Sequence, residues 1–306
     1  MLKRVYRADL LLLAAAVIWG CAFAFQRQAA EELSTYSIIA IRFTLGAICL
    51  LPFVLHTPRR KPACQMPAVS PWVMFGGTIL AGAVLFAGAS FQQWGMEDTS
   101  AGKAGFITGL YVVMVPLLGL VRRQRPGWGC WAGVTLSVVG LYFLSMSGEM
   151  TFASGDAKVL IGAVIWALHI QVLGWLSPRC NVLHLAFGQY AVCGILGLAG
   201  MVMTVQFPAI EAISSCLVSL LYLGAVSTAL GFTLQALGQK ESPATHAAII
   251  MSLEAVFAAL AGWCVLGELL SVRETAGCVL MMIGMLVSQL LRRKIETPSS
   301  RPVTIE

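Results

Sequence analysis

The chain has 306 residues, 58% of them hydrophobic and 11% charged, with a mean hydropathy of +0.82 and a formal net charge of +6. Soluble globular domains carry about 25% charged residues, so a water-soluble fold is excluded. The positive excess sits in short clusters beside apolar runs, not in a basic stripe interleaved with aromatics. A nucleic-acid partner is therefore not implied, and the surroundings to expect are a lipid bilayer.

The N-terminus, MLKRVYRAD followed by an apolar stretch, mimics a secretory signal. That stretch outruns an h-region and lacks a small-x-small cleavage site before polar sequence, so a retained first helix is expected. A helix needs about 20 apolar residues to cross a hydrocarbon core of ~30 Å. By this criterion the chain reads as all-α and polytopic, with ten transmembrane helices. The predicted spans are 9–29, 35–56, 71–95, 101–121, 127–147, 156–176, 182–205, 214–237, 243–266 and 272–291. Runs such as Pro71 to Met96 and Ala212 to Gln239 hold no charge at all, so they must meet lipid or other helices on every side. Fifteen of the 20 Lys and Arg residues fall in the loops and tails of one side and four on the other, with Arg42 inside a span. The positive-inside rule then predicts a multi-pass protein of the cytoplasmic membrane with both termini in the cytoplasm. The nine cysteines lie mainly within apolar runs, without CxxC or Cys/His spacing, so they read as small apolar residues. No metal or cofactor is expected.

Self-similarity divides the chain. At an offset of 147 residues, Ala16-Val17-Ile18-Trp19-Gly20 falls on Ala163-Val164-Ile165-Trp166-Ala167, Asp9 on Asp156 and Arg42 on Gln189. Near offset 143, Phe91-Gln92-Gln93-Trp94-Gly95 falls on Leu234-Gln235-Ala236-Leu237-Gly238, and Lys103-Ala104-Gly105 on His246-Ala247-Ala248. At offset 144, Gly133 and Gly140 fall on Gly277 and Gly284. The predicted units are 1–148 and 149–291, followed by a cytoplasmic tail, 292–306. Five crossings is an odd number, so the second unit enters the membrane from the opposite face. Such inverted repeats mark secondary transporters, in which two units rock around a site near the midplane.

The residues Ala16-Val17-Ile18-Trp19-Gly20, Ile41-Arg42-Phe43, Gly155-Asp156, Leu253-Glu254-Ala255-Val256-Phe257-Ala258-Ala259-Leu260 and Leu266-Gly267-Glu268 carry a resemblance. Over essentially its whole length the chain resembles the ten-helix EamA-type transporters of the drug/metabolite transporter superfamily. The resemblance implies movement of small metabolites across the cytoplasmic membrane, often outward: amino acids, their derivatives or toxic compounds. One departure is Ala255, where the family usually has a proline after the glutamate of the ninth helix. A kink attributed to that proline is not assured here.

Ionisable groups at membrane depth are functional candidates by default. Glu254 lies eleven residues into the ninth span, or roughly 16 Å at 1.5 Å per residue, the bilayer middle. It is a candidate for binding a cationic group or coupling to protons; the alternative is a hydrogen-bonded carboxyl that pins two helices. Lys103, Ile107 and Tyr111 share one face of the fourth helix and map onto His246, Ile250 and Glu254. A polar track from Lys103 through Tyr111 and Glu254 to His246 is expected, with snorkelling helix ends as the alternative for Lys103 and His246. Trp166 and His169 are neighbours on the sixth helix, and Trp19 is the repeat mate of Trp166. These aromatics suit a solute sandwich, or else packing. Gln92 and Gln235 offer uncharged donors and acceptors, or interhelical bonds. Arg42 is expected to snorkel or to pair with Glu31 or Glu32.

Signatures of hydrolases, metalloproteases, P-loop proteins and dinucleotide-binding enzymes are absent from the sequence, so an enzyme is not expected. The function expected is secondary transport of a small-molecule substrate by alternating access, in the export direction, energised by the solute gradient or by coupling to protons. The substrate is an amino acid, a derivative or an amphipathic drug-like compound, and the cavity is lined by helices one, three, four, six, eight and nine. A lipid or lipid-precursor flippase remains the alternative, ahead of an intramembrane enzyme using Ser90 or Ser227 with His169, or a receptor. Both a monomer and a homodimer fit.

Overall fold

The computed structural model describes residues 2–57, 70–99, 101–124, 126–145, 154–261 and 271–296, with backbone alone at 2–4, 101–103, 145, 261 and 292–296. The Lys103 side chain and the Leu266-Gly267-Glu268 segment lie outside the described residues. Ten helical crossings result: α1 Leu2–Glu32, α2 Thr35–His56, α3 Pro71–Asp98, α4 over 101–121, α5 Trp128–Ser145, α6 Ser154–Leu176, α7 Val182–Met203, α8 Leu217–Gln239, α9 over 244–261 and α10 Val272–Glu296. Eight contain spans long and apolar enough to cross a bilayer, and the other two hold the shorter apolar stretches Trp128–Leu144 and Ala244–Leu260.

Polar residues start these helices where the sequence turns. Ser34 and Ser70 accept the amide N–H groups of Ser37 and Val73, and Asn181 accepts that of Leu183. Ser271 and Glu274 cap α10 reciprocally, with the Ser271 amide donating to Glu274 Oε2 at 2.7 Å and the Glu274 amide to Ser271 Oγ at 3.2 Å. These contacts satisfy donors that the first helical turn leaves without partners.

The two five-helix units are inverted copies. Along α2 and α7, Tyr36, Ala40 and Thr44 meet Gly200, Gly197 and Gly194 in turn, so these repeat mates run antiparallel. The same holds for α5 and α10. A methyl group built on Gly133 would stand 2.8 Å from the Gly284 carbonyl oxygen, and one on Gly140 would stand 2.6 Å from that of Gly277. Backbones this close exclude any side chain. The remaining helices interlock by the same symmetry: α3 packs along α6 as α8 packs along α1. Gly88 lies under Trp166, and Gly231, its repeat mate, lies under Trp19.

Three departures from regular α-helix fall near the middle of the bundle. Helix α4 tightens just before Tyr111, where Leu110 donates to Ile107 at 3.2 Å and Val113 to Leu110 at 3.0 Å. Helix α9 tightens just before Glu254, where Leu253 donates to Ile250 at 3.2 Å and Ala255 to Ser252 at 3.3 Å. Leu110 and Leu253 are repeat mates at offset 143, so the two breaks mirror each other. The break in α9 needs no proline at position 255. The third departure is a π-helical run in α8, Tyr222–Phe232, which has no counterpart in α3.

Replacing Gly140 by Val should cost roughly 1–3 kcal/mol, the range for overpacking against a fixed backbone. Gly76, which has nothing within 4 Å of an added methyl, should accept Ala unchanged. Thermal midpoints in detergent compare the two, and equal midpoints would remove the α5–α10 crossing from its structural role.

Candidate functional site

A cavity of about 50 Å³ lies between the two units at the level of the helix breaks. It has room for roughly four waters. Helix α1 contributes Trp19, Phe23 and Gln26, α2 Arg42, α3 Gln92, and α4 Thr108 and Tyr111. From the second unit come Trp166 and Ile170 on α6, Ser227, Phe232 and Gln235 on α8, and Met251 and Glu254 on α9. The expected helices are all present, joined by α2 through Arg42.

One wall is aromatic. The Phe232 ring stands between the two tryptophans, 4.9 Å from Trp19 and 5.8 Å from Trp166, and is nearly parallel to Trp166 at 16°. Trp19 is fixed by its Nε1–H, which donates to the Ser227 carbonyl at 3.2 Å. Trp166 Nε1 has no hydrogen-bond partner. The π-helical run thus delivers both the carbonyl that anchors one tryptophan and the ring that faces the other, and such runs are common at functional sites.

The other wall is polar and incompletely satisfied by the protein. Gln92 Nε2 donates to Thr108 Oγ1 at 3.2 Å. Tyr111 Oη, Gln235 Oε1 and Glu254 Oε1 are buried without hydrogen-bond partners. Buried polar atoms are nearly always paired, so this wall holds polar groups that a solute could engage, with Tyr111 and Glu254 otherwise left to each other. Tyr111 sits beside Glu254, and both are only 4% exposed.

Arg42 corrects the sequence expectation. It neither snorkels nor pairs with Glu31 or Glu32; Glu31 faces Arg27 at 3.8 Å. Its guanidinium instead donates to three neutral oxygens: Thr228 Oγ1 at 3.3 Å, Gln26 Oε1 at 3.3 Å and Ser227 Oγ at 3.4 Å. It also lies 5.0 Å from the Phe43 ring centroid. Among the described residues no carboxylate pairs with Arg42, and no cation pairs with Glu254.

Two residues expected at the site stand behind it. His169 is fully buried, with Nε2 at 3.0 Å from Gln189 Oε1, and its ring meets Trp166 and Phe232 edge-on at 5.8 and 6.1 Å. It braces the aromatic wall without reaching the cavity. Neither Ser90 nor Ser227 is hydrogen-bonded to it, so the serine–histidine pairing considered for an enzyme is not assembled. His246 lies away from the cavity: its Nε2–H donates to Asp9 Oδ1 at 3.1 Å and its Nδ1 lies 3.1 Å from Ser288 Oγ. The expected polar track therefore does not run on to His246, and its Lys103 end lies outside the described residues. Sequence reasoning passed over Gln26, Thr108 and Phe232, and considered Ser227 only as an enzyme serine paired with His169. Gln26 and Thr108 were signalled as polar residues in apolar runs, whereas Phe232 gave no signal.

Asp9 and Asp156, repeat mates, clamp opposite ends of the bundle. Asp9 on α1 takes His246 of α9 and Gln289 of α10, the latter donating to Oδ2 at 2.5 Å. Asp156 on α6 accepts from Thr99, after α3, at 2.5 Å. Each carboxylate joins one unit to the other. Replacing Asp9 by Ala strands the buried His246 and the half-buried Gln289, at a cost of about 1–3 kcal/mol. The thermal midpoint of the variant should fall accordingly, and an unchanged midpoint would show that the clamp contributes nothing.

Inverted five-helix repeats around a mid-membrane cavity define a membrane transporter fold. The sequence profile of the EamA-like transporter family matches the chain twice, at residues 6–146 and 153–289. The chain belongs to this family. An uncharacterized transporter of Archaeoglobus fulgidus is 31% identical over 94% of this chain and 87% of its own length. The uncharacterized transporter YcxC of Bacillus subtilis is 25% identical over 92% of each. A solved crystal structure superposes with a TM-score of 0.75 over 95% of this chain and 99% of that one, at 17% identity, and shares the fold.

Proposed function

We propose that the protein is a secondary transporter that exports a small amphipathic metabolite, an amino acid or a derivative, across the cytoplasmic membrane by alternating access. The observation that carries this reading is the cavity: aromatic on one side, unsatisfied polar atoms on the other, at the meeting of two inverted units. At about 50 Å³ it is far smaller than the ~300 Å³ of an ordinary ligand pocket, so loading a solute requires the units to part. The clamps at Asp9 and Asp156 are the contacts that each opening has to break, one at each end. A unit of 1–148 and one of 149–291 are the bodies that rock. The distribution of Lys and Arg supports cytoplasmic termini, which makes the Asp9 clamp the inner one.

Glu254 supplies the coupling group in this reading, either by taking the solute's cationic group or by carrying a proton. The test is uptake from a metabolite extract into proteoliposomes, at two pH values and with and without a membrane potential. The parent protein should move at least one small solute well above empty liposomes. Glu254→Gln should lower that flux at least tenfold, or abolish its pH dependence. Parent vesicles that move nothing would overturn the transport reading, and a Gln variant with unchanged flux and pH profile would remove Glu254 from the mechanism.

A further inference from the structure

We propose that Arg42 and Glu254 form a split, oppositely charged pair that recognises a zwitterion, with the solute's carboxylate at Arg42 and its ammonium at Glu254. This deepens the transport reading and rests on it. Two ionisable side chains of opposite type line one small cavity, 6% and 4% exposed, and neither has an ion-pair partner among the described residues. An uncompensated ion out of water costs several kcal/mol, so each side chain is held in its charged form most readily when the solute itself brings the counter-charge.

The geometry around each charge leaves a place for it. A guanidinium has five N–H donors. Arg42 directs three contacts at neutral oxygens, none shorter than 3.3 Å, where a charge-assisted bond would be about 2.8 Å. The remaining donors suit the planar, bidentate grip that a carboxylate accepts. Glu254 Oε1 has no partner, and the Tyr111 hydroxyl beside it is also free to turn to an ammonium or to the carboxylate. The aromatic wall of Trp19, Trp166 and Phe232 remains for the apolar part of the solute.

Net charge selects among solutes. A zwitterion neutralises both protein charges at once and adds none to the membrane interior. An amine alone leaves Arg42 without a counter-ion, and an acid alone leaves Glu254 without one. The pair also makes the site directional, although the fold is nearly symmetric. The repeat mate of Arg42 is Gln189, which is neutral and bonded to His169 behind the wall. The mate of Glu254 is Tyr111. Each unit contributes one charge, of opposite sign, so the solute is gripped across the interface between them.

The test uses the full chain and two probe triads. One is leucine with isoamylamine and 4-methylpentanoate; the other is phenylalanine with phenethylamine and 3-phenylpropanoate. Binding is read by thermal stabilisation in detergent and transport by counterflow in proteoliposomes. At least one amino acid should bind tenfold or more tightly than both its amine and its acid. Arg42→Gln should erase the advantage over the amine, Glu254→Gln the advantage over the acid, and Arg42→Lys should restore part of the first. Gel filtration identifies any variant that fails to fold, and the parent panel then decides alone. An amine or acid that binds the parent as well as its amino acid would overturn the proposal. So would a folded neutral variant that keeps the zwitterion preference, or a parent that binds no probe yet moves an uncharged or singly charged solute. In that last case the transport reading survives; it falls separately if no solute moves at all.

Discussion

Hydrocarbon offers no hydrogen bonds, and this one constraint shapes every level of the structure. Helices are the only open-chain solution for the backbone, since each satisfies its own amides and carbonyls. The tightened turns of α4 and α9 fall beside Tyr111 and Glu254, residues that line the cavity in the middle of the bundle. The same constraint governs side chains. Asp9, Asp156 and His246 are buried because each finds a partner on the opposing unit. Arg42 and Glu254 are buried without a counter-charge among the described residues, and they alone of these groups line the cavity.

Packing between units is set by small residues instead of by apolar attraction, because lipid tails are as apolar as leucine. The antiparallel crossing of α5 and α10, with Gly133 facing Gly284 and Gly140 facing Gly277, brings two backbones together along one line. Glycines under Trp19 and Trp166 do something different. They admit a large ring from the other unit into the helix surface, so the two tryptophans reach the centre from opposite sides.

Much of this was legible in the sequence, and the part that was not has physical causes. Apolar runs and the alternation of positive charge gave ten crossings, and the offsets near 143 and 147 gave the inverted pairing. Trp19, Gln92, Tyr111, Trp166, Gln235 and Glu254 lie on the cavity wall because repeat mates at mid-span are brought together by the inversion itself. His169 and His246 were misplaced for a common reason: one-dimensional spacing gives the face of a helix but not which neighbour covers it. Arg42 was misread because a lone cation two turns into a helix ordinarily finds a carboxylate, and Glu31 and Glu32 were the nearest in sequence. The π-helical run in α8 left no trace, since its residues have the same apolar character as the α-helical stretch they mirror in α3.

That run breaks the equality of the two halves. A widened helix occurs on one side only, and it carries Ser227 and Phe232, which hold Arg42 and separate the tryptophans. Two perfectly matched halves would give conformers of identical energy facing either side of the bilayer. In the alternating-access reading proposed above, a single irregular strut removes that equality, and one orientation of the unloaded molecule would be favoured over the other.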